Sequence, residues 1–388
     1  NLEGTLAGGR LAARGRVDLA GPSGRLLKGE VTDVDLAALL GQPDGSRLSA
    51  DLQGRLVSLS PFRASGSMRV RPSRYGGVRV DSASVRGEAL EEGISFALRT
   101  FLPDSAEVGA AGRYGGPGGS SRLVVDSVRF AALDLRDFLQ GADSAAVPST
   151  DLNGRGRGRM QLGERGGQGE LALELDSSVS GAQTIRGGRI TAVVDSSSAN
   201  VELELETPEG GISGEGRVES FRAQPAVVLP GFRFRSVDVG ALMGREGLDL
   251  VLSGSVSGRA VKDSSRVGWR GEIQIAMEES RILSASVEVA EGTLTLDSER
   301  AVGSLRAQLE SGTLRADGSA ELGIETPSFQ GSASLRLPNL MERREDGSAE
   351  ASLFATAEIQ GRGRSLDSTE AQLLVTVDSA RWQEVPLE

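Results

Sequence analysis

Most of the chain alternates apolar and polar residues with a period of two, as β-strands with one buried face do. Residues 170–176 read Glu-Leu-Ala-Leu-Glu-Leu-Asp and residues 201–206 read Val-Glu-Leu-Glu-Leu-Glu, each with an aliphatic and an acidic face. The same alternation recurs at 67–71, 78–81, 94–99, 189–194, 272–277, 286–289, 293–296 and 372–377. Glycines punctuate it, and Tyr75-Gly76-Gly77 makes a good turn between two such runs. Strands of roughly 5–8 residues, spaced roughly 8–12 residues apart, predict an antiparallel meander.

The period switches to that of a helix at three places. Asp35-Leu36-Ala37-Ala38-Leu39-Leu40-Gly41 returns at residues 134–141 and again at residues 238–244. Apolar residues stand at i, i+3 and i+4: Leu36, Leu39 and Leu40, then Leu135, Phe138 and Leu139, then Val239, Leu242 and Met243. That spacing predicts a two-turn helix with one apolar face. Asp35, Asp134 and Asp238 stand at the N-cap position, where a carboxylate accepts from the first free N–H groups. Gly41, Gly141 and Gly244 close the copies, as a left-handed residue does most cheaply. Asn339-Leu340 opens a degenerate fourth copy, with Arg343 where the second apolar residue belongs.

The caps at 35, 134, 238 and 339 recur with a period of about 100 residues. The flanks recur too: Asp51-Leu52-Gln53-Gly54, Asp151-Leu152-Asn153-Gly154, Leu252-Ser253-Gly254 and Ile359-Gln360-Gly361, then Ser73, Asp176-Ser177, Glu279-Ser280 and Asp378-Ser379. Self-similarity at a fixed period argues for a stacked, elongated array. The expected organisation is the end of a preceding repeat at 1–33, repeats at 34–133, 134–237 and 238–338, and a truncated repeat at 339–388. The expected fold is all-β with a few short helices, a long, twisted, mostly antiparallel sheet curled into a trough.

The apolar faces set a physical problem. Only the short helices could cover them, and apolar patches beyond a few hundred Å² do not stay in water without a reason. The sheet must curl on itself, pack against a second sheet, or hold apolar ligands. Its inventory is Leu, Val, Ile and Ala with 4% aromatic residues. Small aliphatics underfill a wide curled sheet, which suits acyl chains, while a sandwich core of the same residues answers equally well. The inward residues expected to line a groove are Leu171, Leu173, Leu175, Val201, Leu203, Leu205, Ile273, Ile275 and Met277.

Composition then narrows the function classes. The chain has no His and no Cys, which removes His-assisted nucleophiles, thiol chemistry and the usual transition-metal ligand sets; we expect no cofactor and no enzyme. Carboxylate pairs arise by chance among 54 Asp and Glu residues and read as a solvated face. A formal net charge of −11 disfavours a nucleic-acid binder. The run Gly154-Arg155-Gly156-Arg157-Gly158-Arg159 therefore reads as outward arginines on a Gly-rich strand. Residues 211–216 lack the Lys and the following helix of a phosphate loop. Residues 115–119 lack the Asp spacing of calcium-binding repeats. Trp269 and Trp382 are isolated and read as strand packing. No stretch approaches the roughly 18 apolar residues of a membrane-spanning helix. Starting at Asn1 without Met or leader, the chain reads as a piece of a longer protein, with any anchor outside it.

The Gly-punctuated meander, the Asp-Leu-x-x-Leu-Leu helix and the following Asp-Leu-x-Gly strand together resemble the AsmA/TamB superfamily of bacterial envelope proteins, along the whole chain. The resemblance implies an inner-membrane anchor outside these residues and a curled β-sheet crossing the periplasm. It further implies a groove for phospholipid acyl chains moving toward the outer membrane, and inner- and outer-membrane proteins as partners at the missing ends. It carries no catalytic residues and no nucleic-acid partner. Two other classes stay open: a surface or secreted β-repeat stalk with a dry core, and a carbohydrate-active β-solenoid using paired carboxylates.

Overall fold

A computed structural model describes residues 2–14, 26–35, 46–59, 62–75, 78–115, 121–138, 148–163, 166–220, 224–245, 247–262, 268–282, 285–321, 327–344, 347–363, 370–382 and 385–387. The fold is all-β, and every strand pairing among the described residues is antiparallel. The chain divides into two units, Asn1–Ser196 with Ala241–Arg245, and Ser197–Gly240 with Glu246–Glu388. That division runs through the expected second repeat at 134–237.

In the first unit the strands Leu2–Leu6, Gly9–Arg14, Leu26–Val34, Leu48–Leu59 and Phe62–Val70 pair in chain order. Ser82–Leu90, Gly93–Phe101, Glu107–Gly115, Ser121–Leu133, Thr150–Gly163, Gly166–Leu175 and Gly187–Val194 extend the same meander. The second unit repeats the plan from Ser198–Glu206 through Gly211–Glu219, Ala226–Asp238, Leu250–Lys262, Trp269–Met277 and Ala285–Asp297. It continues through Arg300–Leu309, Gly312–Glu321, Ser328–Arg344, Gly347–Arg362 and Glu370–Trp382.

These sheets expose much of what they are made of. Ile94 is 47%, Val193 54%, Val289 52% and Val302 44% exposed. The two buried apolar clusters lie at one end of the strands, while Ala226, Ser198 and Ser298 are buried at the other. Ala50, Val70 and Ala83 form the cluster in the first unit, and Met277, Val287, Ala290 and Ala307 form the one in the second. Met277, expected to line a groove, therefore belongs to a closed core: its neighbours across the ladder include Ala290, and the short strand Ser280–Ile282 folds back beside it.

The repeated motif marks this buried end through a bulge more than through a helix. The ladder slips between Val31 and Val34, between Phe130 and Leu133, and between Phe234 and Val237. Each slip holds a left-handed residue two positions before a cap: Asp33 at φ 52°, Ala132 at 53° and Ser236 at 46°. A bulged residue loses its ladder partner, so its N–H needs another acceptor. Asp33 donates to Ser49 Oγ at 3.1 Å, Ala132 to Asn153 Oδ1 at 3.0 Å, and Ser236 to Ser253 Oγ at 3.0 Å. The relay runs on, because the N–H groups of Ser49, Asn153 and Ser253 donate to Ser73, Ser178 and Ser280 Oγ at 3.1, 2.9 and 3.0 Å. Those hydroxyls donate in turn to the carbonyls of Arg71, Asp176 and Glu278. Each serine opens a short strand: Ser73–Tyr75, Ser178–Ser180 and Ser280–Ile282.

Because Ser280 is 7% exposed, Ser280→Ala leaves the Ser253 N–H without its acceptor where water has little access. We expect a loss of about 1–2 kcal/mol, read as faster amide exchange at Ser253 and Ser236. Unchanged exchange at both amides would rule the relay out as a stabilising element.

The expected helices shrink. The second copy is a 3₁₀ turn at Leu135–Phe138 and the third a single α turn at Val239–Leu242, while residues 36–45 and 139–147 lie outside the described residues. Asp134 does cap: its Oδ1 accepts from the Arg136 N–H at 3.0 Å, and its carboxylate pairs with the Arg136 guanidinium at 2.6 Å. That side-chain bond to Arg136 holds the Asp134 carboxyl below the usual carboxylate range. Asp137 moves the other way, raised by burial and then by its acidic neighbours Asp134 and Asp104. Asp35 Oδ1 accepts from the N–H and hydroxyl of Ser46, and the helix it is expected to cap lies outside the described residues. Asp238 ends a strand directly before the third turn, and Gly244 adopts φ 65° after it, as the motif requires. Asn339, expected to open a fourth helix, lies instead inside the strand Ser328–Arg344. The ladder still slips there, between Leu337 and Leu340, but with Arg343 breaking the apolar stripe the chain resumes the sheet.

Candidate functional site

The register lines up the apolar face of the second unit into unbroken rows. Leu203 stands opposite Gly214, Gly214 opposite Phe232, Phe232 opposite Val256, and Val256 opposite Ile275. From Ile275 the row passes to Gly292, Leu305, Ala316 and Ala333, and then to Ala357 and Val375. A neighbouring row runs Gly258, Ile273, Leu294, Gly303, Gly318, Gly331, and ends on Ile359 and Leu373. Period-two alternation puts every member of both rows on one face. No polar side chain interrupts either row. The opposite face carries Gln274, Thr293, Ser304, Asp317 and Ser332 in the equivalent positions.

The first unit is built alike. Leu173 stands between Gly156 and Ile190, Leu171 between Gly158 and Ala192, and Leu175 between Gly154 and Gly188. Beyond Gly156 the row continues through Val128, Ala110, Leu98, Val85, Met68 and Leu52. The structure thus gathers Leu171, Leu173 and Leu175 on one apolar face, and gathers Val201, Leu203, Leu205, Ile273 and Ile275 on another in the second unit.

These faces are only partly covered. Leu171 is 40% exposed and Val201 36%, while Leu173, Leu175, Leu203, Leu205, Ile273 and Ile275 are half-buried by their neighbours in the same sheet. In the second unit the face lies along an open depression of about 690 Å³. Its floor is Gly303, Gly318 and Gly331, with Leu294 and Ile275 on one side and Ile359 and Leu373 on the other.

Glycines in these rows are of two kinds. At Gly214 a Cβ would meet the Phe232 ring at 2.7 Å, so the glycine admits a ring lying across it. At Gly303 a Cβ would meet nothing nearer than 3.6 Å. Glycine weakens a strand, and nothing in the fold demands it at Gly303; what it leaves is open volume above the floor.

The polar face is electrostatically paired. Arg155 bonds Glu174 and Arg159 bonds Glu170, each at 2.9 Å across adjacent strands. The Arg155 bond pulls the Glu174 carboxyl below the usual carboxylate range. The Arg/Gly run at 154–159 is accounted for by this geometry: glycines face the apolar side and arginines the solvent. Among the described residues no cluster of acidic side chains is arranged to hold a metal ion, and no helix is long and apolar enough to cross a membrane.

Sequence periodicity located the apolar faces but missed the bulge relay. Ser73, Asn153, Ser253 and Ser280 stood out as recurring positions, and the second repeat's relay hydroxyl belongs to Ser178, next to the recurring Ser177. A left-handed residue that is not glycine leaves no compositional trace, which is why Asp33, Ala132 and Ser236 were silent. Compared with known proteins, the chain matches no family model, no curated protein and no solved structure.

Proposed function

We propose that the chain is a non-enzymatic conduit whose open apolar faces carry lipid acyl chains, as part of moving phospholipid across the periplasm between inner and outer membranes. The observation that carries this reading is the apolar rows that cross successive strands without a polar interruption, half-covered and lining an open depression. Burying a methylene is worth about 0.8 kcal/mol, so an acyl chain laid on such a row gains by length and needs no polar anchor. Rows without a polar barrier also let a chain slide, which a conduit requires. The sandwich and the dry stalk both call for apolar side chains buried along the whole strand. The row residues Leu173, Leu203, Ile273 and Ile275, in the middle of their strands, are only half-buried, which argues against them.

Transfer of a fluorescent phospholipid between donor and acceptor vesicles tests the reading. We expect the chain to accelerate transfer in proportion to its concentration. A rate equal to that of vesicles alone would overturn the proposal.

A further inference from the structure

Charge pairing on the polar face is incomplete in the first unit. One row there runs from Arg69 through Ser84, Arg99, Gly109 and Arg129 to Arg155, with Asp51 before it and Glu174 after it. Arg86 and Arg157 stand two residues along from Ser84 and Arg155, on the same face. All six arginines are exposed. Glu107 bonds Arg99 and Glu174 bonds Arg155, but among the described residues Arg69, Arg86, Arg129 and Arg157 form no ion pair. Arg129 stands directly opposite Arg155, a placing of like charges that weakens a sheet. Gly109 sets no side chain between Arg99 and Arg129, whose Cα atoms lie two strand spacings apart, about 9.5 Å. A Cβ there would meet only the Leu98 carbonyl, at 3.8 Å. Packing therefore does not call for glycine, and the slot it leaves can be reached by guanidinium groups from both sides. The chain's acidic excess lies in the second unit, whereas basic residues slightly outnumber acidic ones in the first. Among the acids of the first unit, Asp104, Asp134 and Asp137 sit at turns beyond the strand ends, away from this row.

We propose that this face binds a linear acidic polysaccharide, whose carboxylates take up the unpaired arginines. Guanidinium and carboxylate match in a two-bonded, planar pair. Ser84 in the row and Ser67 opposite Arg86 add hydroxyls that both donate to and accept from those of a sugar. Strands twist by about 20–25° each, so the row winds through roughly 100° across its six strands. A flat anionic membrane meets only part of such a row, while a flexible chain follows it. A nucleic acid would need rings on which to stack its bases. The ring beside the row is Phe101, and Arg99 already lies over it at 4.9 Å. The proposal stands apart from the lipid reading, because these arginines lie on the face opposite the apolar rows.

Fluorescence anisotropy of labelled polygalacturonate, titrated with the full chain, tests the proposal. The chain should bind it, less tightly as salt is raised. Arg129→Ser with Arg157→Ser removes two unpaired charges and a like-charge contact, so the fold should hold by circular dichroism. Binding should fall at least about tenfold. Arg259→Ser with Arg362→Ser takes the same charge from ion pairs of the second unit and should leave binding unchanged. No binding by the unmodified chain, or equal losses in the two double variants, would overturn the proposal. So would tighter binding of single-stranded polyadenylate, or binding of phosphatidylglycerol vesicles in place of the polysaccharide.

Discussion

Met277→Ala should destabilise the second unit by about 2–5 kcal/mol, the range for deleting a long side chain from a closed core. Met277 is 9% exposed and packs with Val287, Ala290 and Ala307, with Leu252 and Ile282 against the cluster. Ile273, four residues earlier on the same face of the same strand, is only half-buried. Ile273→Ala should cost about 1 kcal/mol, since part of its methylene surface already meets solvent. Urea unfolding monitored by amide exchange in Trp269–Met277 and Ala285–Asp297 separates the two, which matters because repeat arrays need not unfold in one step. Equal costs at both positions would mean that the apolar face is closed along its length.

The second large effect is on lipid uptake. Leu203→Arg together with Ile275→Arg places two guanidinium groups in the row Leu203, Gly214, Phe232, Val256, Ile275. A charge in an apolar groove must be desolvated or held away from it, at a cost of several kcal/mol. Each 1.4 kcal/mol is tenfold in affinity, so we expect phospholipid binding to fall by at least about tenfold. Strand content should survive, because a half-covered site lets an arginine reach solvent along its own stem. Circular dichroism checks the fold and binding of a fluorescent fatty acid checks the groove. Intact binding in a folded double variant would remove the row from the lipid path.

What could be read from the sequence divides along physical lines. Period-two alternation depends on local residue identity, so the strands at 170–176, 201–206 and 272–277 and their apolar faces were legible. The helices were over-read: Leu135 and Phe138 have helical spacing, yet both stay exposed in a 3₁₀ turn at 41% and 44%. Spacing supplies a stripe, but a short helix persists only if tertiary packing buries it. Met277 alternates in phase with Ile273 and Ile275, which predicts a place in the groove. What makes it core is the fold-back of Ser280–Ile282, a contact that phase cannot encode. The bulge relay depends on backbone geometry at Asp33, Ala132 and Ser236, and so became visible only in the ladder slips.

The most direct test of the conduit is native mass spectrometry of the chain expressed into the periplasm of a bacterial host and purified gently, with extraction and identification of whatever copurifies. The open apolar rows predict several phospholipids per chain, lost in the Leu203→Arg, Ile275→Arg variant. A lipid-free, stable and monodisperse chain would contradict the account and show that the apolar faces satisfy one another.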